Sequence, residues 1–102
     1  MKYAQIFTYH VDLPSKEEYL KNFVDPFADS LSKVNGLISK LWQADFESQY
    51  ASIYLWETKE AMEDFIKSSM VAGLANIPFL KDLKIVEYPV VEEASMITRG
   101  IK

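Results

Sequence analysis

Gly36-Leu37-Ile38-Ser39-Lys40-Leu41-Trp42-Gln43-Ala44-Asp45-Phe46-Glu47-Ser48-Gln49-Tyr50-Ala51-Ser52-Ile53-Tyr54-Leu55-Trp56-Glu57 is the stretch on which the reading of this chain turns. Two runs rich in aliphatic and aromatic residues, Leu37 to Ala44 and Tyr50 to Glu57, flank a polar connection of hairpin length, Asp45 to Gln49. Such runs, bounded by polar residues, predict two antiparallel strands. In the first strand Ile38, Lys40 and Trp42 share one face by simple alternation, and Leu37, Ser39 and Leu41 share the other. In the second, Tyr50, Ser52, Tyr54 and Trp56 oppose Ala51, Ile53 and Leu55. Neither strand has a clearly polar face, and a one-residue slip would exchange the two faces.

Upstream, Tyr3 to His10 predicts another strand, with Tyr3, Gln5, Phe7 and Tyr9 on one face and Ala4, Ile6, Thr8 and His10 on the other. Val11-Asp12-Leu13-Pro14 ends it. Ser15 with Glu18 three residues later has capping-box spacing. The apolar stripe Tyr19, Leu20, Phe23, Val24, Phe27, Ala28, Leu31 and Val34 then predicts an amphipathic helix. Pro26 lies inside that stripe and removes a backbone donor, so one bent helix or two in tandem are expected, with the irregularity at Asn22 to Asp25. Asn35-Gly36 supplies a left-handed cap.

Downstream, Thr58 is a good N-cap for a second helix that carries Ala61, Met62, Phe65, Ile66 and Met70. Val71 to Leu80 reads as a short turn or loop, and Leu83 to Val91 as a fourth strand. The tail from Glu92 to Lys102 has no clear period, and an arm crossing to another subunit would fit it. The resulting order is strand, helix, strand, strand, helix, strand. That is the split βαβ, ferredoxin-like α+β arrangement, here one domain over residues 1–102. Its helices cover one sheet face only. The other face is apolar too, so a homodimer that stacks two sheets is expected.

Net charge is −4 and no basic run occurs, which argues against nucleic acid and anionic membrane surfaces as partners. No apolar run is long enough for a membrane span, and the N-terminus lacks signal-peptide features, so a cytoplasmic protein is expected. With no cysteine and one histidine, neither a thiol nucleophile nor a zinc site is expected, and no metal is assigned. The three glycines are too dispersed for a phosphate or dinucleotide loop. Histidine is the side-chain type best suited to proton transfer at physiological pH, which makes His10, the only one, the candidate general base. A lysine on an otherwise apolar face must reach water, a carboxylate or a ligand. Lys40, Trp42, Tyr54 and Trp56 are therefore either pocket lining or packing at the subunit interface.

Several stretches carry a family resemblance: Gly36 to Trp42, Ile53 to Trp56, Ala61-Met62-Glu63-Asp64-Phe65, Asp25-Pro26-Phe27-Ala28-Asp29-Ser30-Leu31, and Ala94-Ser95-Met96-Ile97-Thr98-Arg99-Gly100. Together they resemble the YdhR-type monooxygenases of the dimeric α+β barrel superfamily over nearly the whole chain. The resemblance implies a homodimer with a pocket between sheet and helices in each subunit. It also implies oxidation of a small aromatic, quinol- or anthrone-like molecule by oxygen without cofactor. His10 would then be the catalytic base, and Lys40, Trp42, Tyr54 and Trp56 would bind substrate. Haem-degrading members use a helical histidine, which this chain lacks. A non-catalytic dimeric protein that binds a small apolar molecule is the alternative.

Overall fold

The computed structural model describes all residues from Met1 to Lys102. Strands β1 (Tyr3–Val11), β2 (Leu37–Ala44), β3 (Tyr50–Trp56) and β4 (Leu80–Pro89) form one antiparallel sheet in the order β2-β3-β1-β4. The helical segments are α1 (Lys16–Tyr19), a π-helical turn (Leu20–Val24), α2 (Asp25–Leu31), α3 (Lys59–Ile66), α4 (Ser69–Leu74) and α5 (Glu92–Ile97). This is the ferredoxin-like α+β fold.

Strict alternation sets the two faces of the central strands. Gln5, Phe7, Tyr9 and Val11 from β1 and Tyr50, Ser52, Tyr54 and Trp56 from β3 are all buried beneath the helices. Cross-strand pairing places Tyr3 opposite Trp56, Gln5 opposite Tyr54 and Phe7 opposite Ser52, so this face is a continuous aromatic floor. Phe23, Leu31, Met62 and Phe65 close it from the helix side. One polar group sits at its centre. The Gln5 amide is fully buried, accepts from the Trp56 indole N–H at 3.1 Å and donates to Glu87 at 2.7 Å. Both ends of the amide are therefore satisfied, which avoids a penalty of about 1–3 kcal/mol for an orphaned buried group.

The opposite face has no helix. Ile53 and Leu55 on β3 and Ile6 on β1 lie there, flanked by Leu41 on β2, which is 60 % exposed, and Tyr88 on β4, also 60 % exposed.

Pro26 is accommodated just upstream by the π-helical turn, in which the Asp25 N–H reaches the Leu20 carbonyl. The widened turn lets Pro26 sit at the start of α2, where its missing N–H costs no helical bond. The apolar stripe therefore continues across a proline.

Four local expectations change. A register shift between Leu37 and Ser39 puts Leu37 opposite Trp56, on the helix side with Lys40 and Trp42, and leaves Ile38 partly exposed on the other. Simple alternation had paired Ile38 with Lys40; the bulge inserts one residue and reverses that. Strand β4 begins at Leu80 instead of Leu83, because Leu80 and Lys81 pair with Val11 and His10, and an irregularity follows at Asp82 (φ 58°). The segment expected as turn or loop contains a short helix, α4, capped by Ser68. The tail, which has no clear period in the sequence, forms a short helix, α5, whose Glu92 accepts from the Lys2 N–H and ammonium at 3.3 and 3.4 Å.

Gly36 has φ 85°, and a methyl group built on it would lie 2.5 Å from the Ala61 side chain. Gly36→Ala should therefore cost about 2 kcal/mol or more, combining left-handed strain with a clash against α3. A urea titration checks this. An unchanged midpoint would show that the β2 entry and α3 are free to separate.

Candidate active site

Between the aromatic floor and the helices lies a crevice of about 380 Å³, counted with its open mouth. Its floor is Phe7, Tyr9, Ser52 and Tyr54 of the central strands, with Lys40 and Trp42 of β2 at one side. Met70, Val71 and Leu74 of α4 form a wall, and α4 has no fully buried residue. The crevice has the size of a small-molecule site but is nearly filled by its own side chains. A ring-sized ligand enters only if that wall gives way, and the flexible Met70 thioether is suited to yielding.

Lys40 is the only charged residue lining this crevice. The β2 bulge turns it inward, opposite Tyr54. Its Nζ lies 3.2 Å from the Trp42 ring centroid and 4.6 Å from that of Tyr54. None of the four ion pairs of the chain involves it. Burial disfavours the ammonium and lowers its pKa to about 7. The two ring faces pull the other way by about 1–2 kcal/mol, less than the burial effect. The amine thus gives up its proton far more readily than a solvated lysine.

The other polar groups are neutral. The Tyr9 hydroxyl and Ser52 Oγ are 2.8 Å apart. Burial raises the Tyr9 pKa, partly offset by the Ser52 bond, and raises that of Tyr54, with a smaller push from Tyr9. Neither phenol is a base at neutral pH. The Tyr19 hydroxyl, next to Tyr9, is buried without a well-formed hydrogen bond, and burial first and the Tyr9 charge second hold its pKa high.

Of the residues singled out in the sequence, Lys40, Trp42 and Tyr54 converge on the crevice. Trp56 is fully buried behind it, stacked on Tyr54 with centroids 6.0 Å apart and planes at 7°. His10 does not reach it. It sits with Thr8, Gln43 and Lys84 in a broad polar groove at the end of the sheet, its Nδ1 3.4 Å from the Ser48 carbonyl. The physical reason is alternation: Phe7 and Tyr9 face the crevice, so the next residue faces away. No three His, Cys, Asp or Glu side chains cluster as a metal site would require. No helix is long and apolar enough to cross a membrane. Tyr9, whose ring carries the same choice between pocket and interface, also lines the crevice; Ser52, Phe65 and Met70 do not stand out in the sequence as lining. The alternation of β3 already placed Ser52 with Tyr54, which was the available signal.

The sequence profile described as "Putative mono-oxygenase ydhR" matches residues 5–101. No curated protein sequence matches the chain. Among solved structures, SnoaB, a cofactor-independent oxygenase from Streptomyces nogalater, superposes with TM-score 0.67 at 11% identity, covering 87% of this chain and 92% of that one. The ActVA-Orf6 monooxygenase of Streptomyces coelicolor, in complex with nanaomycin D, gives 0.66 at 18% identity, covering 86% of each chain. A point mutant of MhuD, with two manganese protoporphyrin IX molecules bound per active site, gives 0.66 at 20% identity, covering 87% of this chain and 94% of that one. At these identities the likeness is one of fold.

Lys40 also links the site to stability. Its folded pKa of about 7 lies below the ordinary 10.5, so between these values the unfolded chain holds a proton that the native chain lacks. Stability then rises with pH across that window, and the burial penalty is complete below it. Lys40→Met should be more stable than the parent near neutral pH by a few kcal/mol, with the gap narrowing towards about pH 9.5. The raised tyrosines begin to lose their contribution near their ordinary value of 10.0, above the pH of about 9.5 at which the comparison ends. Urea midpoints across the window check this. A gap independent of pH would show that Lys40 is solvated.

Proposed function

We propose that this chain, which belongs to the YdhR mono-oxygenase family, oxidises a small quinol- or anthrone-like aromatic with molecular oxygen and no cofactor, using the Lys40 amine as base. One observation carries the reading: an amine with no counter-ion stands as the sole charge in an aromatic crevice. A deprotonated phenol or anthrone is electron-rich enough to react with oxygen directly, so the protein need only remove a proton and exclude water.

For an anthrone-like methylene the balance is simple. Lys40 takes a proton from the methylene or its enol, and the ammonium stays beside the enolate. The carbanion carbon bonds to oxygen, and the peroxide anion takes the proton back. Lys40 then removes the second hydrogen of that carbon as the O–O bond breaks. Carbonyl and hydroxide form, and the ammonium protonates hydroxide to water. Substrate CH2 and one O2 become C=O and one H2O, with the substrate supplying all the electrons. Trp42 and Tyr54 offer ring faces to the substrate, Trp56 supports Tyr54 from behind, and the Tyr9–Ser52 pair offers hydroxyls to a second substrate oxygen. His10, at the outer groove, has no part in this sequence of steps.

Oxygen uptake by chelator-treated protein over anthrones, quinols and catechols tests the reading. Uptake should survive chelation, fall about 100-fold or more in Lys40→Met, and persist in His10→Ala. A Lys40→Met variant with full activity would rule out the amine as base. Compounds that raise the melting temperature without any uptake would favour the alternative, a non-catalytic binding protein.

The open sheet face belongs to the same reading. Leu41, Val86 and Tyr88 expose apolar surface alongside Ile6, Ile53 and Leu55 on a face no helix covers. A second copy stacked there would bury both faces and give the homodimer. Light scattering should give twice the chain mass, reduced to one in Leu41→Lys/Tyr88→Lys. A monomeric parent protein would count against the dimer and leave the crevice chemistry untouched.

A further inference from the structure

We infer that Lys40 is also a covalent carbonyl-binding site, whose amine condenses reversibly with one- or two-ring aromatic aldehydes to form an imine inside the crevice. The inference shares the neutral Lys40 amine with the proposed base but needs neither oxygen nor turnover.

Imine formation asks three things of a lysine: a free electron pair, a place for the carbonyl's substituent, and a means to expel water. The first follows from where the amine sits. It has ring faces for neighbours instead of a carboxylate, while Lys2, Lys33, Lys59 and Lys81 are each paired with one. Burial lowers the Lys40 pKa to about 7, so a substantial share of the amine carries a free electron pair near neutral pH. An ordinary surface lysine is unprotonated there in only roughly one molecule in a few thousand. A desolvated lysine in an apolar pocket is a recognised route to a reactive amine.

The walls meet the second demand. Trp42 and Tyr54 flank the amine, and Phe65 packs against Tyr54 at 5.3 Å, so a flat ring joined to the carbonyl has faces to lie against. Because the crevice is nearly filled by its own side chains, one or two flat rings ask for less movement of α4 than a larger system would. Ser52 lies two residues along β3 from Tyr54, the residue paired with Lys40, and its hydroxyl is bonded to that of Tyr9. This pair can pass a proton to the departing hydroxyl of the carbinolamine. The balance closes without redox change. The amine adds to the carbonyl carbon, one proton moves from nitrogen to oxygen, and the C–O bond breaks as water leaves. R–NH2 and O=CH–Ar become R–N=CH–Ar and H2O. The apolar site favours the neutral imine and the loss of water.

The experiment is reductive trapping under nitrogen. Full-length protein is incubated with 2-naphthaldehyde and sodium cyanoborohydride near pH 7, and labelled peptides are mapped by mass spectrometry. The expected result is one naphthylmethyl group, on the peptide carrying Lys40, with labelling at least about 100-fold faster than at any other lysine. Prior addition of 2-naphthol, which fills the crevice without a carbonyl, should slow that labelling. The preference should vanish when the wild-type protein is unfolded in urea, a control that does not depend on any variant folding. Lys40→Met should take up label only at the slow rate of the surface lysines. Labelling spread evenly over the lysines of the folded protein would overturn the inference, as would a preference that persists in urea. Absence of the Lys40 adduct alongside oxygen uptake that depends on Lys40 would remove the imine and leave the oxygenase reading standing. The adduct without oxygen uptake would do the reverse.

Discussion

The register between β1 and β3 is the constraint on which the rest of this protein depends. It stacks Gln5, Phe7 and Tyr9 beside Ser52, Tyr54 and Trp56 on one side of the sheet, and a slip of one residue would send all of them to the other. At one end the indole of Trp56 is held by Gln5, and Gln5 by Glu87 of the neighbouring strand. Three strands are thus tied through one buried amide. Trp56 is fully buried with its only polar atom committed, and Tyr54 stacks on it. The rings that face Lys40 are therefore held from behind. A cavity built on exposed loops would lack that support.

Against this rigid floor the helical side is uneven. Phe65 and Met62 of α3 are fully buried, but α4 contributes only half-buried side chains. The pocket has one hard wall and one soft wall. On the proposed reading α4 is the side that yields to a flat ring, since the crevice is nearly filled by its own side chains. The chemistry is correspondingly spare. One amine is set among rings, with a pair of neutral hydroxyls nearby. Burying a lysine without a counter-ion works against stability, and such costs concentrate where function requires them. Related folds hold nanaomycin D in one case and porphyrin in another, so the lining of the pocket, and not the fold, must select the ligand.

The element order was legible from alternation, helical periodicity, Ser15 and Thr58 as caps, and the Asn35-Gly36 turn. Those are local signals with local causes. The π-helical turn, the Leu37–Ser39 bulge and the early start of β4 were not legible, because each is set by what lies across the sheet or under the helix. The bulge matters most, since it decides which neighbours share a face with Lys40. The candidate site divides along the same line. Lys40, Trp42 and Tyr54 stood out because a lysine among rings is chemically conspicuous. His10 stood out only as the sole histidine, and residue type carried no information about the groove it occupies.

What the amino-acid sequence determined by itself was the class of fold, the doubly apolar sheet and the residue types from which a site could be made. Periodicity and composition follow from neighbours a few positions apart, and these can be read along the chain. Only the tertiary structure decided that the ring-bearing face lies under the helices, that Leu41 and Tyr88 lie on the uncovered side, and that Lys40 and His10 sit on opposite sides of one sheet. A strand has two equivalent faces until something packs on one of them. That choice is made by long-range burial, in which the larger aromatic surface of β1 and β3 takes the helices and the smaller aliphatic face is left open.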